Sequence, residues 1–323
     1  MQLEAVLADL VRSYRERGCD ASVATMTVVV FFDDGTIGEL ARDRIKMLAS
    51  KHPSRIVVLD GTRDHTLASV ESCDWIELGA QGCDPEMLRD AVGALRIADA
   101  PLVLLWIAPG IEGDARFAAL CEDVQMVVYN SSLVDTGDAG LRELVGYVKN
   151  HPGLPMSDIA YLRLAPWQEC VAIFFDGNAA QELHELEAIE IACGSQPEAF
   201  YLLGWLASRL QWTASGTNEL TDRSGKRVSF EIRQEGPPRR IARIALRSAR
   251  STFVAEVDAN EEMILLSARG ESTHAPRYRA INNPGIAALV ERAILWGQND
   301  KIFRASLEAA GDILDLQKAS YAG

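Results

Sequence analysis

The sequence predicts an α/β protein in which an N-terminal doubly wound, mostly parallel five-stranded sheet precedes an α+β domain with an antiparallel β-meander. Three observations carry this reading. Buried β-branched runs alternate with helical periodicity through residues 1–150. The break His151-Pro152-Gly153-Leu154-Pro155 ends that alternation. Beyond it, period-2 segments succeed one another across short turns. Domains are expected at 1–152 and 153–323, and 323 residues at roughly 150 per domain agree with two. The first is Rossmann-like or flavodoxin-like in kind.

MQLEAVLADLVRSYRERG, at the N-terminus, has amphipathic helical spacing with acids inside its apolar stretch, unlike a signal peptide or an anchor. TMTVVVFF (25–32) reads as a strand ended by Asp33-Asp34-Gly35, and Ile37, Leu40, Ala41, Ile45 and Leu48 then recur at helical spacing. RIVVLD (55–60), CDWIELGA (73–80), PLVLLWIA (101–108) and VQMVVYNS (124–131) supply four more strands. Helices are expected over 85–97, 112–121 and 141–149. Runs this continuously apolar are those of strands covered on both faces, hence the parallel sheet.

In the second half, SDIAYLRLAPWQECVAIFFD (157–176) reads as a helical stretch restarted at Pro166, whose missing N–H suits a first turn. HELEAIEIAC (184–193) reads as a strand. Ser195-Gln196-Pro197-Glu198 has the S-x-x-E form of a capping box and opens the helix YLLGWLASRLQW. RVSFEIRQ, RRIARIALRSA, STFVAEVD and EMILLSAR follow as meander strands, and helices over 284–296 and 300–317 complete the domain.

Composition narrows the function. A 48% hydrophobic fraction with 24% charged residues is that of a globular protein, and the net charge of −14 argues against nucleic acid or an anionic membrane as partner. No run reaches the ~18 apolar residues of a membrane span. Six scattered cysteines without C-x-x-C spacing indicate a reducing cytoplasm and no metal site. Cys121, Cys170 and Cys193 lie in apolar surroundings. Cys19, Cys73 and Cys83 lie near polar or turn residues and are the candidates for a redox role.

Catalytic signatures fail in turn. After the first strand stands DDGTIGEL rather than G-x-G-x-x-G, so no dinucleotide cofactor is implied. SGKR (224–227) lacks the upstream glycine of a P-loop, and His184-Glu185 has Ala188 where a second zinc-binding histidine would stand. The chain is therefore expected not to be an enzyme. Its informative features are aromatic and basic. Tyr201, Trp205, Arg209 and Trp212 share one arc of a helix, a composition typical of binding hot spots. The alternative is a helix packed on both faces. Trp167, Val171 and Phe174 repeat at helical spacing, which reads as core. Residues 223–250 hold nine basic side chains, including Arg239, Arg240, Arg243 and Arg247, against Glu231 and Glu235. They form either a solvated strand face or a docking surface for an acidic or phosphorylated partner.

Three segments together resemble one family, the glucose-6-phosphate dehydrogenase assembly proteins called OpcA. KHPSRIVVLD (51–60) is similar to the family's H-P-S-R strand, DIAYLRLAPWQECVAIFFD (158–176) to its D-L-x-W-x-R-L-x-P-W-R segment, and YLLGWLASRLQW (201–212) to its L-x-G-W-L-A-S-R-L-x-W helix. Tyr161 and Gln168 depart from the family's usual Trp and Arg. The resemblance implies a non-catalytic cytoplasmic effector that binds glucose-6-phosphate dehydrogenase and supports its active oligomer in the oxidative pentose phosphate pathway, with Arg163 and Trp167 joining the arc as candidate contacts. The rival from another class is a sugar-phosphate-binding or sugar-phosphate-converting enzyme with an anion site at Ser54 and Arg55 or in the Arg-rich meander.

Overall fold

The computed structural model describes residues 24–51, 53–65, 68–72, 74–133, 137–236, 240–258, 260, 263–281, 285–296 and 300–321, with 8, 12, 15, 16 and 18 ahead of them. The expected N-terminal helix is outside all but a few of these, and Cys19, Cys73 and Arg239 are outside entirely. The chain divides into two compact units. The first comprises Met1–Val134, Gly146–Ile159 and Gly285–Asn299; the second comprises Asp135–Val145, Ala160–Pro284 and Asp300–Gly323.

In the first unit the elements are β1 (Met26–Phe32), α1 (Gly35–Lys51), β2 (Ser54–Asp64), β3 (Ala68–Ser72), β4 (Trp75–Gln81), α2 (Pro85–Leu95), β5 (Leu102–Trp106), α3 (Ala115–Cys121), β6 (Met126–Tyr129), β7 (Met156–Asp158) and α8 (Ile286–Trp296). Helix α4 (Ala139–Asn150) contributes its last turns. The strands pair in the order β3-β4-β2-β1-β5-β6-β7. Every neighbouring pair is parallel except β3 with β4. Without β3, the order is that of a doubly wound nucleotide-binding sheet, with its switch point between β1 and β5.

The five expected strands are all present, and two edge strands join them. β3 (ASVES) and β7 (MSD) are too short and polar to show in the periodicity. Val28, Val29, Val30, Phe31, Ile56, Val57 and Leu104 are fully buried, as strands covered on both faces require. Each such side chain contributes roughly 1.5–3 kcal/mol. Helix starts are specified locally: Asp84 accepts from the Glu86 N–H ahead of α2, and Asp114 from the Arg116 and Phe117 N–H groups ahead of α3.

The second unit holds α5 (Ile159–Leu162) from its second residue, α6 (Ala165–Phe174), a 3-10 helix (Gly177–Glu185), β8 (Leu186–Cys193), α7 (Gln196–Leu210), β9 (Thr213–Gly216), β10 (Glu219–Thr221), β11 (Arg227–Gln234), β12 (Ile241–Ser248), β13 (Ser251–Val257), β14 (Met263–Gly270), β15 (His274–Ala280) and α9 (Lys301–Tyr321). Its strand order is β15-β14-β13-β12-β8-β11-β10-β9. The meander differs from expectation in two respects, the first being the added strands β9, β10 and β15 at its edges. Second, β11 and β12 are consecutive in sequence but not neighbours, because β8 lies between them, parallel to β11 and antiparallel to β12. β8 alternates buried Ile189, Ile191 and Cys193 with half-buried Ala188, Glu190 and Ala192, the pattern of a central strand packed on one face. Pro166 begins α6 as expected, but the residues before it form β7 and the short α5 rather than one helix.

Candidate functional site

In open α/β sheets ligands bind beyond the carboxyl ends of the strands at the switch point, here between β1 and β5. That position is filled by the chain itself. At the α1 N-terminus, where a diphosphate would meet free N–H groups, the Asp34 carboxylate accepts from Thr36 N and Ile37 N at 2.8 and 3.0 Å. A second anion there would meet a negative charge and spent donors. Phe32 lies against the first turn so closely that a Cβ on Gly38 would come within 2.3 Å of its ring. The Arg42 guanidinium sits over that ring, 4.7 Å from its centre.

The acid at the end of β2, which would hold a ribose, is likewise engaged. Asp60 is buried, bonds the Arg42 guanidinium, and accepts from Thr62 N at 2.9 Å and Thr62 Oγ1 at 2.6 Å. Arg63 reaches Asp60 and Glu77, and Trp75 Nε1 donates to Glu77 at 2.9 Å. Burial works against ionisation of Asp60, but its Thr62 and Arg42 contacts outweigh that and hold its carboxyl below the usual range. On the β5 side Trp106 stacks on Phe31 at 4.2 Å, and Arg116 covers Phe31 while pairing with Asp114 and Asp33. These residues do not fit a dinucleotide. Among the described residues no group of His, Cys, Asp and Glu could hold a metal ion, and no helix is long and apolar enough to cross a membrane.

The sequence-predicted contacts divide by depth. Tyr201 is fully buried, with Tyr161 edge-on at 5.4 Å and Phe303 at 6.0 Å; Trp167 and Trp212 are buried as well. Helix α7 packs against β8 and β11 on one side and α9 on the other, so the arc is mostly internal. Trp205 is half-buried and Arg209 exposed. Stacking between them is absent from the guanidinium–ring pairs of the described residues, which include Arg42 on Phe32 and Arg116 on Phe31. Arg163 donates to the buried Glu198 at 2.9 Å, and Glu198 in turn receives the Ser195 hydroxyl. The S-x-x-E motif therefore works side chain to side chain, and Ser195 makes no capping bond to the backbone of the helix.

The basic residues of β12 are laced with acids. Arg243 pairs with Glu190 and Glu256 at 3.6 and 3.8 Å, and Arg247 with Glu190 at 2.9 Å; Arg240 is exposed and also has partners. A count along the sequence missed this because the acids come from the neighbouring strands β8 and β13. Ser54 and Arg55 are buried at the amino end of β2, away from the strand ends where ligands bind, and Arg55 Nη1 donates to the Leu95 carbonyl at 3.0 Å. Burial lowers the Arg55 pKa, with Asp74 opposing. Cys83 is half-buried, and burial together with Asp84 raises its pKa, the opposite of an activated thiol.

Residues 154–307 match the family model OpcA_G6PD_C, which describes the C-terminal domain of a glucose-6-phosphate dehydrogenase subunit. The OxPP cycle protein OpcA of Nostoc punctiforme is 32% identical over 146 residues, covering 43% of this chain and 30% of that protein. Its namesake in Synechocystis sp. is 29% identical over 145 residues, 44% and 30% of the two chains. Over this stretch the chain resembles the OpcA proteins. The matched stretch spans about a third of those relatives' length. By fold, the chain is similar to aldose-aldose oxidoreductase from Caulobacter crescentus in complex with glycerol, with a TM-score of 0.55 and 12% identity over 93% of this chain and 98% of that one.

The OpcA-like motifs now acquire physical meaning. Arg163, from the R-L-x-P-W segment, bonds Glu198 at the start of the G-W-L-A-S-R-L helix, and Tyr161 packs on Tyr201. Gly204 of that helix meets α9: a Cβ there would lie 2.2 Å from the Ser306 carbonyl and 2.8 Å from Ala310 N. The motifs form an interhelical joint in the second unit. Glu182 forms a second joint. It is buried and accepts hydroxyls from Ser248, Ser251 and Ser272, tying the β12–β13 turn to the β14–β15 turn.

Proposed function

We propose that this chain is a non-catalytic effector that binds glucose-6-phosphate dehydrogenase in the cytoplasm and favours its active oligomer. The observation that carries the reading is the match of residues 154–307 to a domain described as part of a subunit of that dehydrogenase. The strand-end crevice supports it in that Asp34 already takes the Thr36 and Ile37 N–H groups that the phosphates of a dinucleotide would need. An effector works by binding one state of its target more tightly than another, and a coupling of ~1–3 kcal/mol shifts an affinity about 5–150-fold.

Of the arc, Trp205 and Arg209 are the residues the fold leaves available for contact, with Arg240 a further exposed cation. The test is sedimentation of the chain with purified glucose-6-phosphate dehydrogenase, alongside NADP reduction by the mixture. Arg209→Glu, which disturbs no packing, is expected to weaken association at least tenfold, and Trp205→Ala about 30-fold, as a hot spot of ~2 kcal/mol requires. No co-sedimentation at micromolar concentrations, or NADP reduction by this chain alone, would defeat the proposal.

A further inference from the structure

The second unit has a cleft of about 500 Å³ between the end of α6 and the edge strand β15, within the size range of small-molecule sites. Arg277, Arg279 and Asp176 line it, with Ile173 and Leu266 as its apolar walls. Arg277 and Arg279 are two positions apart on β15 and project to the same face, at about 7 Å spacing. They are used differently. Arg279 forms an ion pair with Glu169, one turn before Ile173 on α6, which pins the edge strand to that helix. Arg277 is exposed, and neither it nor Asp176 has an ion-pair partner among the described residues, although both open onto this cleft.

We propose that the cleft binds a phosphorylated polyol of sugar-phosphate size, with the phosphate on Arg277 and hydroxyl groups donating to Asp176. A guanidinium takes a phosphate through two parallel N–H bonds, whereas a carboxylate only accepts and therefore selects donors. Cation and anion face one space without neutralising each other, so a ligand that is anionic at one end and rich in hydroxyls at the other satisfies both. The apolar walls suit the C–H faces of a sugar carbon chain. An inorganic anion would leave Asp176 unanswered. A small zwitterion would match the two charges but leave most of the volume empty. The Glu169–Arg279 pair acts as a positioning contact, holding β15 at a fixed distance from α6.

The experiment is isothermal titration of the full chain, without dehydrogenase, using glucose 6-phosphate, glucose, inorganic phosphate and glycine as probes. Its outcome is thus independent of partner binding. Saturable binding of glucose 6-phosphate is expected, tighter than any other probe. Arg277→Gln should weaken it at least tenfold, and Asp176→Asn several-fold while leaving any phosphate binding unchanged; Arg269→Gln on the neighbouring strand should have no effect. All three are exposed, and unchanged melting curves confirm folding of the variants. The proposal is overturned if glucose 6-phosphate does not saturate by about 10 mM. It is also overturned if inorganic phosphate or glycine binds as tightly, or if Arg277→Gln binds like the parent.

Discussion

Gly204→Ala tests whether the OpcA-like helix motif is a packing joint. In an exposed helical position this substitution stabilises by roughly 0.5–1 kcal/mol, because alanine loses less backbone entropy on folding. Gly93 in α2 is such a position, with nothing within 4 Å of an added Cβ. At Gly204 the new methyl would stand 2.2 Å from the Ser306 carbonyl and 3.0 Å from the Ala310 Cβ, against an ordinary contact of 3.4–4 Å. Relief requires α7 and α9 to part by about 1 Å along a line of backbone atoms, which cannot rotate away as a side chain can. Overpacking of this kind costs about 1–3 kcal/mol. The same substitution should therefore stabilise at Gly93 and destabilise at Gly204. Urea unfolding of both variants, read from midpoints at constant m, measures the two signs. A stabilised Gly204→Ala protein would refute the close approach of the two helices.

Glu182→Ala should cost about 3 kcal/mol, since it leaves two buried hydroxyls and the half-buried Ser272 hydroxyl without their acceptor. Burial disfavours the Glu182 charge, but the Ser248, Ser272 and Ser251 hydroxyls and Arg250 prevail and keep its carboxyl below the usual glutamate range. Its contribution is therefore full above the unfolded value and disappears as pH falls through the folded one, so Glu182→Gln should flatten the acid limb of a stability–pH profile. Burial pushes the Cys121 and Cys193 thiols up to about 12 and Cys170 to about 11, so these three should resist iodoacetamide at neutral pH and become reactive on denaturation. Labelling followed by peptide mass analysis checks this, and native modification of Cys193 at the rate of a free thiol would contradict it. NADPH fluorescence should show no saturable binding to the isolated chain up to about 1 mM, and micromolar binding lost on Asp60→Asn would show that the crevice at the β1 and β5 ends opens.

The parallel sheet was legible because burial on both faces leaves an unbroken apolar run: Val28 to Phe32 and Leu102 to Trp106 are apolar without interruption. Edge elements gave no such signal. β15, HAPRYRA, carries Pro276 between exposed Ala275 and Arg277, a composition tolerated only where one side of the ladder is unpaired. The insertion of β8 between β11 and β12 was invisible for another reason. Local alternation fixes which face a residue takes but says nothing about which strand lies beside it. The expected arc is broken, since α7 ends at Leu210 and Gln211 caps it in a left-handed conformation, which puts Trp212 beyond the helix; of the three residues on it, Tyr201 is buried, with Phe303 of α9, a hundred residues downstream, beside its ring. The cleft at Arg277 had no sequence signal at all, as Asp176 and Arg277 lie about a hundred positions apart.

The residues that carry the family resemblance therefore divide into those spent on packing and those left at the surface. Arg163, Tyr161, Glu198, Tyr201 and Gly204 are engaged within the second unit, by ion pair, ring contact or backbone approach. Arg55 stitches the start of β2 to the end of α2. A substitution at any of these acts first on stability, and a lost interaction measured on such a variant reports unfolding as readily as contact. Trp205 and Arg209 occupy the same helix but stand outside the joint, so charge reversal at Arg209 perturbs the surface while Gly204 and Glu198 continue to hold α7 in place. Binding measured on Arg209→Glu, and stability measured on Gly204→Ala, thus address two properties that share fifteen residues of one helix but are carried by different sides of it.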